Sequence, residues 1–221
     1  MQPATRTTPT CVAVHVRPAS SRAELREFTR WHRLAAVPQS RPAGHNLIEV
    51  ADAGILATGL TRSYAAEKLN TLSIPGGIPT VLAARTMALV AVADNRPIGG
   101  LSAGPSFFLC AQLAMLGPAT VLHAALATIK IHAIAVEPGW RRRGIGTALL
   151  RHALTTARHA GANLVYGQFN TETSGLAEFY HRNGINVSEP DAPLQMNALI
   201  DLPAYVAPLP GETLFHQVVN Q

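Results

Sequence analysis

The stretch Ala135–Leu154, AVEPGWRRRGIGTALLRHAL, sets the fold of this chain of 221 residues. An alternating, β-branched segment leads into it and predicts a strand, which Pro138 ends. The sequence after Gly144 has the apolar spacing of an amphipathic helix, and Gly161 marks its C-terminal end. We expect the inner face of this helix to include Ala148, Leu149, Ala153 and Ala157. A strand, a loop with glycines and a helix in this order predict an α/β unit.

The loop between this strand and this helix has the composition of an anion site. The first N–H groups of a helix have no partner inside the helix and bind anions readily. Gly144 and Gly146 leave the backbone open to a diphosphate, and the Thr147 hydroxyl can add a hydrogen bond. The positive charge comes from Arg141, Arg142 and Arg143. Three cations at the positive end of a helix dipole indicate an anion bound between them, and the alternative is a solvated basic surface.

The composition is that of a folded, basic chain. Apolar residues make up 48% of the sequence and charged residues 14%, which excludes an intrinsically disordered chain. The 18 Lys and Arg residues against 13 Asp and Glu residues give a net charge of +5, and Lys68 and Lys130 are its only lysines. This arginine excess suits an anionic cofactor, an RNA or another acidic partner, and it equally fits a bias of genome composition.

The cysteines and the N-terminus give four further expectations. Cys11 and Cys110 match no disulfide framework and no metal-ligand spacing, so we expect free thiols and no metal. Residues 1–10 lack the apolar run of a secretory signal. We therefore expect these ten residues to form a flexible tail and the protein to be cytoplasmic.

The chain before residue 86 is only partly interpretable. Residues 11–17 predict a strand, and Ser20 or Ser21 predicts the cap of a following helix. The inner face of this helix is predicted to contain Leu25, Phe28 and Trp31. Residues 35–85 show no clear period, and residues 73–80, SIPGGIPT, predict a loop.

The rest of the chain alternates between strand and helix patterns. Residues 87–93 and 97–103 predict a β-hairpin, and residues 163–169, NLVYGQF, predict another strand. Residues 173–184, TSGLAEFYHRNG, predict a second helix ended by a glycine. Closing strands are predicted for INV (185–187), MNALIDL (196–202) and TLFHQVV (213–219). This order predicts a mixed α/β sheet.

Residues 107–128 contain no charged side chain and are about long enough to cross a bilayer. Gly117 and Pro118 interrupt them, and no basic cluster flanks either end. We therefore expect two short buried or lid segments hinged at Gly117-Pro118, and no membrane span.

Two motifs resemble those of a known family. Residues 134–150, IAVEPGWRRRGIGTALL, resemble the acetyl-CoA-binding motif of the GNAT superfamily of N-acetyltransferases, with Arg141, Gly144 and Gly146 at its defining positions. Residues 173–187, TSGLAEFYHRNGINV, resemble a later family motif in which an FY pair precedes a glycine and an apolar residue. The residues at those positions are Phe179, Tyr180, Gly184 and Ile185.

The resemblance implies an α/β fold with a mixed, mostly antiparallel central sheet, a parallel splayed strand pair and flanking helices. It implies one GNAT-like acetyltransferase domain over residues 11–221, in which residues 35–85 and 104–126 are atypical.

The resemblance also implies acetyl-CoA as the co-substrate. Backbone amides near Ala135 or Val136 are expected to polarise the thioester carbonyl. Family members often carry Asn at the position of Thr173, and Asn170 is the candidate to replace that contact. The cofactor-binding residues implied are Ile134, Ala135, Val136, Arg141, Arg142, Arg143, Gly144, Ile145, Gly146, Thr147, Asn170 and Thr173.

For the chemistry, the resemblance implies direct attack of an amine on the thioester. Tyr180 is the candidate acid for the departing thiolate, and the alternative is a core aromatic residue. His132, Glu137 and ordered water are all candidates for the base. Alternation places His132 and Glu137 on opposite faces of a regular strand, and a bulge would change this.

The acceptor stays open among a small amine, a protein amino group and an aminoacyl-tRNA. An alternative function is a catalytically silent acyl-CoA-binding sensor or interaction module. The uncharged segment 107–128 is expected to form a lid or the face of a homodimer.

Overall fold

The protein has a central seven-stranded sheet with helices on both faces. The structure, a computed structural model, describes residues 13–37, 43–71 and 76–220. The strands of this sheet are β1 (Val14–Pro18), β2 (Met87–Ala93), β3 (Arg96–Gly104), β4 (Thr128–Val136), β5 (Leu164–Asn170), β6 (Asn186–Val187) and β9 (Glu212–Val218), while β7 (Leu194–Gln195) and β8 (Tyr205–Val206) form a separate pair.

The sheet has the strand order β1-β2-β3-β4-β5-β9-β6. Every neighbouring pair in it is antiparallel except β4 and β5, which are parallel. The predicted mixed, mostly antiparallel sheet with one parallel pair is therefore confirmed.

Nine helices flank these strands within the described ranges. They are α1 (Arg22–Leu34), α2 (Ala43–Asp52), α3 (Arg62–Thr71), α4 (Gly77–Ala84), α5 (Phe107–Gln112), α6 (Pro118–Ala127), α7 (Ile145–His159), α8 (Leu176–Arg182) and α9 (Met196–Ile200). Two short 3₁₀ turns, Ala114–Leu116 and Pro138–Trp140, precede α6 and α7.

Strand alternation separates the two faces of the sheet. On β2, Leu89 packs in the cluster that contains α7, whereas Val90 packs in the cluster that contains α1. On β5, Val165 lies in the α7 cluster, whereas Tyr166 lies in a cluster with α5 and α6. Helices α7 and α8 therefore cover one face, and α1, α5 and α6 cover the other.

The β2–β3 hairpin agrees with its prediction to within one residue at each end. Asp94 and Asn95 at its turn have φ angles of 47° and 60°. Two consecutive left-handed residues match the twist of the flanking strands, and Asp and Asn tolerate this conformation well.

Helix α1 forms because its cap and its apolar stripe agree. The Ser21 hydroxyl accepts a hydrogen bond from the Glu24 N–H, which satisfies one orphan donor of the first turn. The predicted inner residues Leu25, Phe28 and Trp31 are all buried. Strand β1 includes Pro18, one residue beyond the predicted end, and Cys11 lies outside the described residues.

Helix α7 begins and ends at glycines in the left-handed region. Gly144 is its N-cap with φ 78°, and Gly161 follows its C-cap with φ 72°. Leu149, Ala153 and Ala157 are buried as predicted. Ala148 is exposed instead, because it lies about 100° around the helix from Leu149 and outside the buried stripe.

Helices α2, α3 and α4 occupy most of residues 43–84, where the sequence gave no clear period. Each helix has at most ten residues and buries only one or two side chains, so the apolar period is weak. The loop predicted for residues 73–80 is wrong from Gly77 onward, because α4 begins there. Residues 72–75 lie outside the described residues.

The uncharged segment 107–128 forms two short helices, α5 and α6, and its last residue begins β4. Pro118 is the first residue of α6, where its missing N–H costs no helical hydrogen bond. In the parts of the chain that the structure describes, no helix is long and apolar enough to cross a membrane. Four large apolar side chains of this segment are exposed: Phe107, Phe108, Met115 and Leu116.

One closing strand is replaced by a helix. MNALIDL, predicted as a strand, forms α9 and ends at Asp201 in the left-handed region. The other two segments form β6 and β9 as predicted. Asn, Ala and Leu in MNALIDL are not strongly strand-forming residues, so their intrinsic preferences allow a short helix here.

Arg85 joins helices from both faces in the core. It is fully buried, and its guanidinium donates hydrogen bonds to four backbone carbonyl groups. These are the carbonyls of Gly59, Ala125, Leu126 and Ala160, at 3.1, 3.2, 2.6 and 3.1 Å. Three of them belong to the C-terminal ends of α6 and α7, where the helix dipoles favour a cation.

Candidate active site

The parallel strands β4 and β5 separate at the centre of the sheet. Their pairing runs from Thr128 opposite Leu164 to Ile131 opposite Gly167. Both strands continue beyond this point, β4 to Val136 and β5 to Asn170, but they no longer pair with each other. The backbone groups of β4 that face β5 are consequently left without a sheet partner. This V-shaped opening is the predicted splay.

A β-bulge lies where the two strands separate. Ser102 of β3 pairs with Ala133, while the next residue, Ala103, pairs with Ile131, so His132 is an extra residue in β4. A bulge of this kind reverses the facing of the residues that follow it. Its position next to the splay places an imidazole at the base of the opening.

The bulge overturns the expectation that His132 and Glu137 face opposite sides. His132 faces the α1 side, because its neighbour Ile131 packs on the α7 side and side chains alternate along a strand. Glu137 also faces α1, because it forms an ion pair with Arg30. Ala135 packs with α1 as well, and Ile134 packs on the α7 side.

Burial sets the protonation state of His132. Partial burial lowers the pKa of its imidazole to about 3, and the nearby groups Lys130 and His32 lower it further. His132 is therefore neutral at physiological pH and able to accept a proton. Glu137, the other predicted base, has its carboxylate engaged by Arg30.

The loop before α7 has the geometry of an anion site. Ala148 N–H donates to Gly144 C=O at 2.9 Å, so the N–H groups of Ile145, Gly146 and Thr147 precede the first hydrogen bond inside the helix. Residues 141–144 are all exposed. Outward-pointing N–H groups and an open approach are what a diphosphate requires.

The three arginines of this loop take different positions. Arg141 Nε donates to the Val136 carbonyl at 3.0 Å, which ties the loop to the end of β4. The Arg143 guanidinium lies over the Trp140 ring, 4.9 Å from its centroid. Arg142 is in the left-handed region, with φ 59°. Arg142 and Arg143 remain exposed beside the helix N-terminus, whereas Arg141 has a structural contact as well.

The two glycines of the motif differ in the space around them. Gly144 has φ 78°, and a Cβ built there meets nothing within 4 Å, so the space in front of it is open. A Cβ at Gly146 would lie 3.4 Å from the Phe179 ring of α8, which is an ordinary van der Waals contact. Gly144 therefore fits the predicted access point for an anion, whereas the packing of α7 against α8 does not require a glycine at position 146.

Tyr180 lies on the α7 side of the opening, within an aromatic stack. Its ring centroid is 3.8 Å from that of Phe215 and 5.5 Å from that of Phe169. Phe215 also contacts the apex of the splay, because a Cβ on Gly167 would lie 2.3 Å from its ring. Tyr180 is 3% exposed, and burial raises the pKa of its phenol. It is therefore a protonated donor next to the splay.

Asn170 and Thr173 form the turn after β5. The Asn170 Oδ1 accepts from the Glu172 N–H at 2.8 Å, and its carbonyl accepts from the Thr173 N–H at 2.9 Å. Both residues are exposed. The Asn170 side-chain oxygen is thus used in its own turn, which leaves its amide NH₂ group as the donor for a ligand.

The structure adds polar residues that the sequence did not single out. His32 Nε2 and Ser102 Oγ are 2.7 Å apart, and Lys130 Nζ donates to Gln168 Oε1 at 3.1 Å. One signal was available: His32 is four residues after Phe28, so it continues the inner stripe of α1. No local pattern marks Ser102 or Gln168.

Comparisons with known protein families and solved structures agree with the fold and with the loop before α7. Residues 63–185 match the acetyltransferase (GNAT) family. An uncharacterized N-acetyltransferase of Methanocaldococcus jannaschii is 42% identical over 60 residues, which is 27% of this chain and 26% of that relative. The match thus spans about a quarter of the relative's length.

Solved structures share the fold. A GNAT-family acetyltransferase from Desulfovibrio desulfuricans superposes with a TM-score of 0.55 at 17% identity, covering 94% of this chain and all of that one. The acetyltransferase yncA from Salmonella typhimurium, solved with its cofactor acetyl-CoA, superposes with a TM-score of 0.54 at 15% identity. This match covers 95% of each chain.

The splayed parallel strands and the glycine loop at a helix N-terminus agree with the family match. The chain belongs to the GNAT acetyltransferase family.

Proposed function

We propose that the protein transfers an acetyl group from acetyl-CoA to a primary amine by direct attack on the thioester. The observation that carries this proposal is the end of β4–β5 pairing at Ile131 and Gly167, next to the exposed N-terminus of α7. An opening with unpaired backbone donors suits an extended amide-containing arm, and the helix N-terminus suits its diphosphate.

The residues present fit acetyl-CoA. The N–H groups of Ile145, Gly146 and Thr147, with Arg142 and Arg143 beside them, would hold the diphosphate. The free edge of β4 over Ile134, Ala135 and Val136 would hold the pantetheine arm and donate to the thioester oxygen. Asn170 and Thr173 lie at the end of the opposite strand, where they would add further contacts.

Acetyl-CoA supplies an electrophilic carbonyl carbon and a thiolate leaving group. The chain places a candidate acid and a candidate base on opposite faces of the same opening. Tyr180 lies on the α7 side and His132 faces α1. This arrangement supports direct transfer, because one face can protonate the leaving thiolate while the other takes the proton of the amine.

Tyr180 is proposed as the acid. Burial keeps its phenol protonated, and it also makes the phenol a weaker acid than a free thiol. Donation to the thiolate is therefore uphill, and it requires that the site stabilise the Tyr180 phenolate until water returns a proton. His132 is proposed as the base in preference to Glu137, because Arg30 holds the Glu137 carboxylate.

The acceptor would approach from the α1 side. The net charge of +5 makes a polycationic amine a poor partner and favours a neutral amine or an amine carried by an acidic partner. Aminoacyl-tRNA and protein amino groups therefore remain candidate acceptors, as amines carried by a larger partner.

The test is release of free thiol from acetyl-CoA with a panel of tyramine, kanamycin, spermidine and an alanine-initiated peptide. Mass spectrometry of a cell extract treated in the same way identifies acetylated products outside the panel. We expect Tyr180→Phe to lower kcat on the order of 100-fold with little change in acetyl-CoA affinity. Tyr205→Phe is the matched control, because Tyr205 is 51% exposed.

Equal kcat in Tyr180→Phe would reject Tyr180 as the acid. Tight acetyl-CoA binding without thiol release from any amine or extract would instead favour the silent acyl-CoA-binding module.

A further inference from the structure

A second imidazole lies on the same face of the sheet as His132, opposite Tyr180. His32, near the end of α1, has its Nε2 2.7 Å from the hydroxyl of Ser102 on β3. Ser102 is 4% exposed and sits opposite Ala133, the residue next to the bulge. A hydrogen bond of this length to a buried hydroxyl fixes the orientation of the ring.

The packing of α1 determines where His32 lies. The Trp31 ring fills the space over Gly100, where a Cβ would approach it to 2.0 Å. Gly100 and Ser102 are two residues apart on β3 and lie on the same face. Trp31 packs on Gly100, and this brings the next residue of α1, His32, to Ser102. The absence of a side chain at Gly100 is therefore what allows His32 to reach the opening.

The carboxylates of Glu137 and Glu212 on this face are both paired. Arg30 of α1 forms ion pairs with Glu27 and Glu137, although Glu137 Oε1 accepts no hydrogen bond. Gln168 of β5 accepts from Lys130 and donates to Glu212 of β9. Neither carboxylate is therefore an unpaired acceptor for the proton of an attacking amine.

We propose that His32, held by Ser102, and His132 form a two-imidazole site in which His132 takes the proton of the attacking amine and His32 passes it to solvent. This proposal rests on the proposed acetyl transfer and adds a positioning residue to it. His32, like His132, is half-buried and therefore retains contact with water, as a proton exit requires.

The proton balance of the step is complete. The amine nitrogen forms a bond to the acetyl carbon, the carbon–sulfur bond breaks, and the thiolate takes the Tyr180 proton. The proton lost by the nitrogen moves to His132, then to His32, and then to water, while Tyr180 recovers a proton from water. No further reactant is needed.

The charge state of the two rings allows this step. Burial lowers the pKa of His32 to about 4 and that of His132 to about 3. Both rings are neutral before the reaction, so each can accept a proton. The low pKa values also make both rings weak bases, so each holds the proton only briefly before it reaches water.

A double-mutant cycle in kcat tests the proposal, with the most active amine of the panel as acceptor. We expect His132→Gln to lower kcat on the order of 100-fold, and His32→Gln roughly tenfold, at unchanged KM for acetyl-CoA. The double variant should be no slower than His132→Gln alone, because His32 acts through His132. Ser102→Ala should resemble a weak form of His32→Gln, and Ser102→Thr should restore most of the rate.

If the loss of kcat in the double variant equals the product of the losses in the two single variants, the proposal is overturned. It is also overturned if His32→Gln is as fast as the exposed control His159→Gln. Thermal melting of each variant separates a lost proton path from a lost fold. If the unmodified protein releases no thiol with any amine or extract, the proposed function itself fails.

Nuclear magnetic resonance provides a readout that needs no acceptor. The ring signals of His32 and His132, assigned from the two single variants, should stay constant from pH 8 to pH 6, because both pKa values lie well below this range. In His32→Gln the pKa of His132 should rise, because the charge of His32 no longer acts on it. Titration of either ring near the ordinary histidine pKa of about 6.5 would contradict the arrangement.

Discussion

The two faces of the splayed strands build their chemistry in different ways. On the α7 face, the anion site is a run of consecutive residues, 141–147, and its donors are backbone N–H groups. On the α1 face, the polar groups come from α1, β3, β4, β5 and β9, and all of them are side chains. The first site depends on local conformation, and the second depends on how distant elements pack.

The difference predicts which substitutions damage which face. A change of backbone conformation in the α7 loop should weaken acetyl-CoA binding and leave the α1 face intact. A change in the packing of α1 should damage the α1 face and leave acetyl-CoA binding unchanged. Arg85 is the exception, because its guanidinium contacts the ends of both α6 and α7.

Arg85→Met should have the largest effect on stability. The four carbonyl groups that Arg85 satisfies would become buried without a donor, at a cost of about 3 kcal/mol in the free energy of unfolding. Chemical denaturation measures this, with Arg151→Met on the exposed side of α7 as the control. If both variants unfold at the same denaturant concentration, Arg85 does not join the two faces.

Gly100→Ala should damage the α1 face alone. Its Cβ would overlap the Trp31 ring, which must move, and we expect a loss of about 2 kcal/mol in stability together with a fall in kcat. The affinity for acetyl-CoA should stay the same. Gly139→Ala is the control, because a Cβ there meets nothing within 4 Å. Weaker acetyl-CoA binding in Gly100→Ala would show that the two faces are not separable.

Gly144→Val should damage the α7 face alone. A β-branched residue is strained at φ 78°, and its side chain would fill the open space in front of the loop. We expect the Kd for acetyl-CoA, measured by calorimetry, to rise roughly tenfold or more, which corresponds to about 1.4 kcal/mol. Gly139→Val serves as the comparison, and an unchanged Kd in Gly144→Val would remove this loop from the binding site.

Arg143→Ala should have the smallest effect. The exposed guanidinium over Trp140 adds charge near the anion, and charge interactions at an exposed position contribute about 1 kcal/mol or less. The Kd for acetyl-CoA should rise a few-fold at low salt, and the difference from the unmodified protein should vanish at high salt. A salt-independent difference would assign Arg143 a packing role instead.

The sequence was sufficient for the α7 face because its signals are local. The strand, the glycine loop, α7 and the segment with Tyr180 lie between residues 128 and 182, and each has its own period or cap. The hairpin was predicted to within a residue for the same reason. The short helices α2–α4 escaped prediction because each buries too few side chains to show a period.

The α1 face could not be read from sequence because packing creates it. The alternation of β4 placed His132 and Glu137 on opposite faces, and one bulge at the splay brought both toward α1. Bulges have no dependable local signature. Likewise, His32 and Ser102 are 70 residues apart, and only the docking of Trp31 over Gly100 brings them together.

Hydrogen exchange with and without acetyl-CoA tests the central claim, that the splay and the α7 loop hold the co-substrate. The account predicts slower amide exchange in two segments at once, residues 132–136 of β4 and residues 141–147 of the loop, with no change in α4. Protection confined to other segments, or no protection at saturating acetyl-CoA, would contradict it.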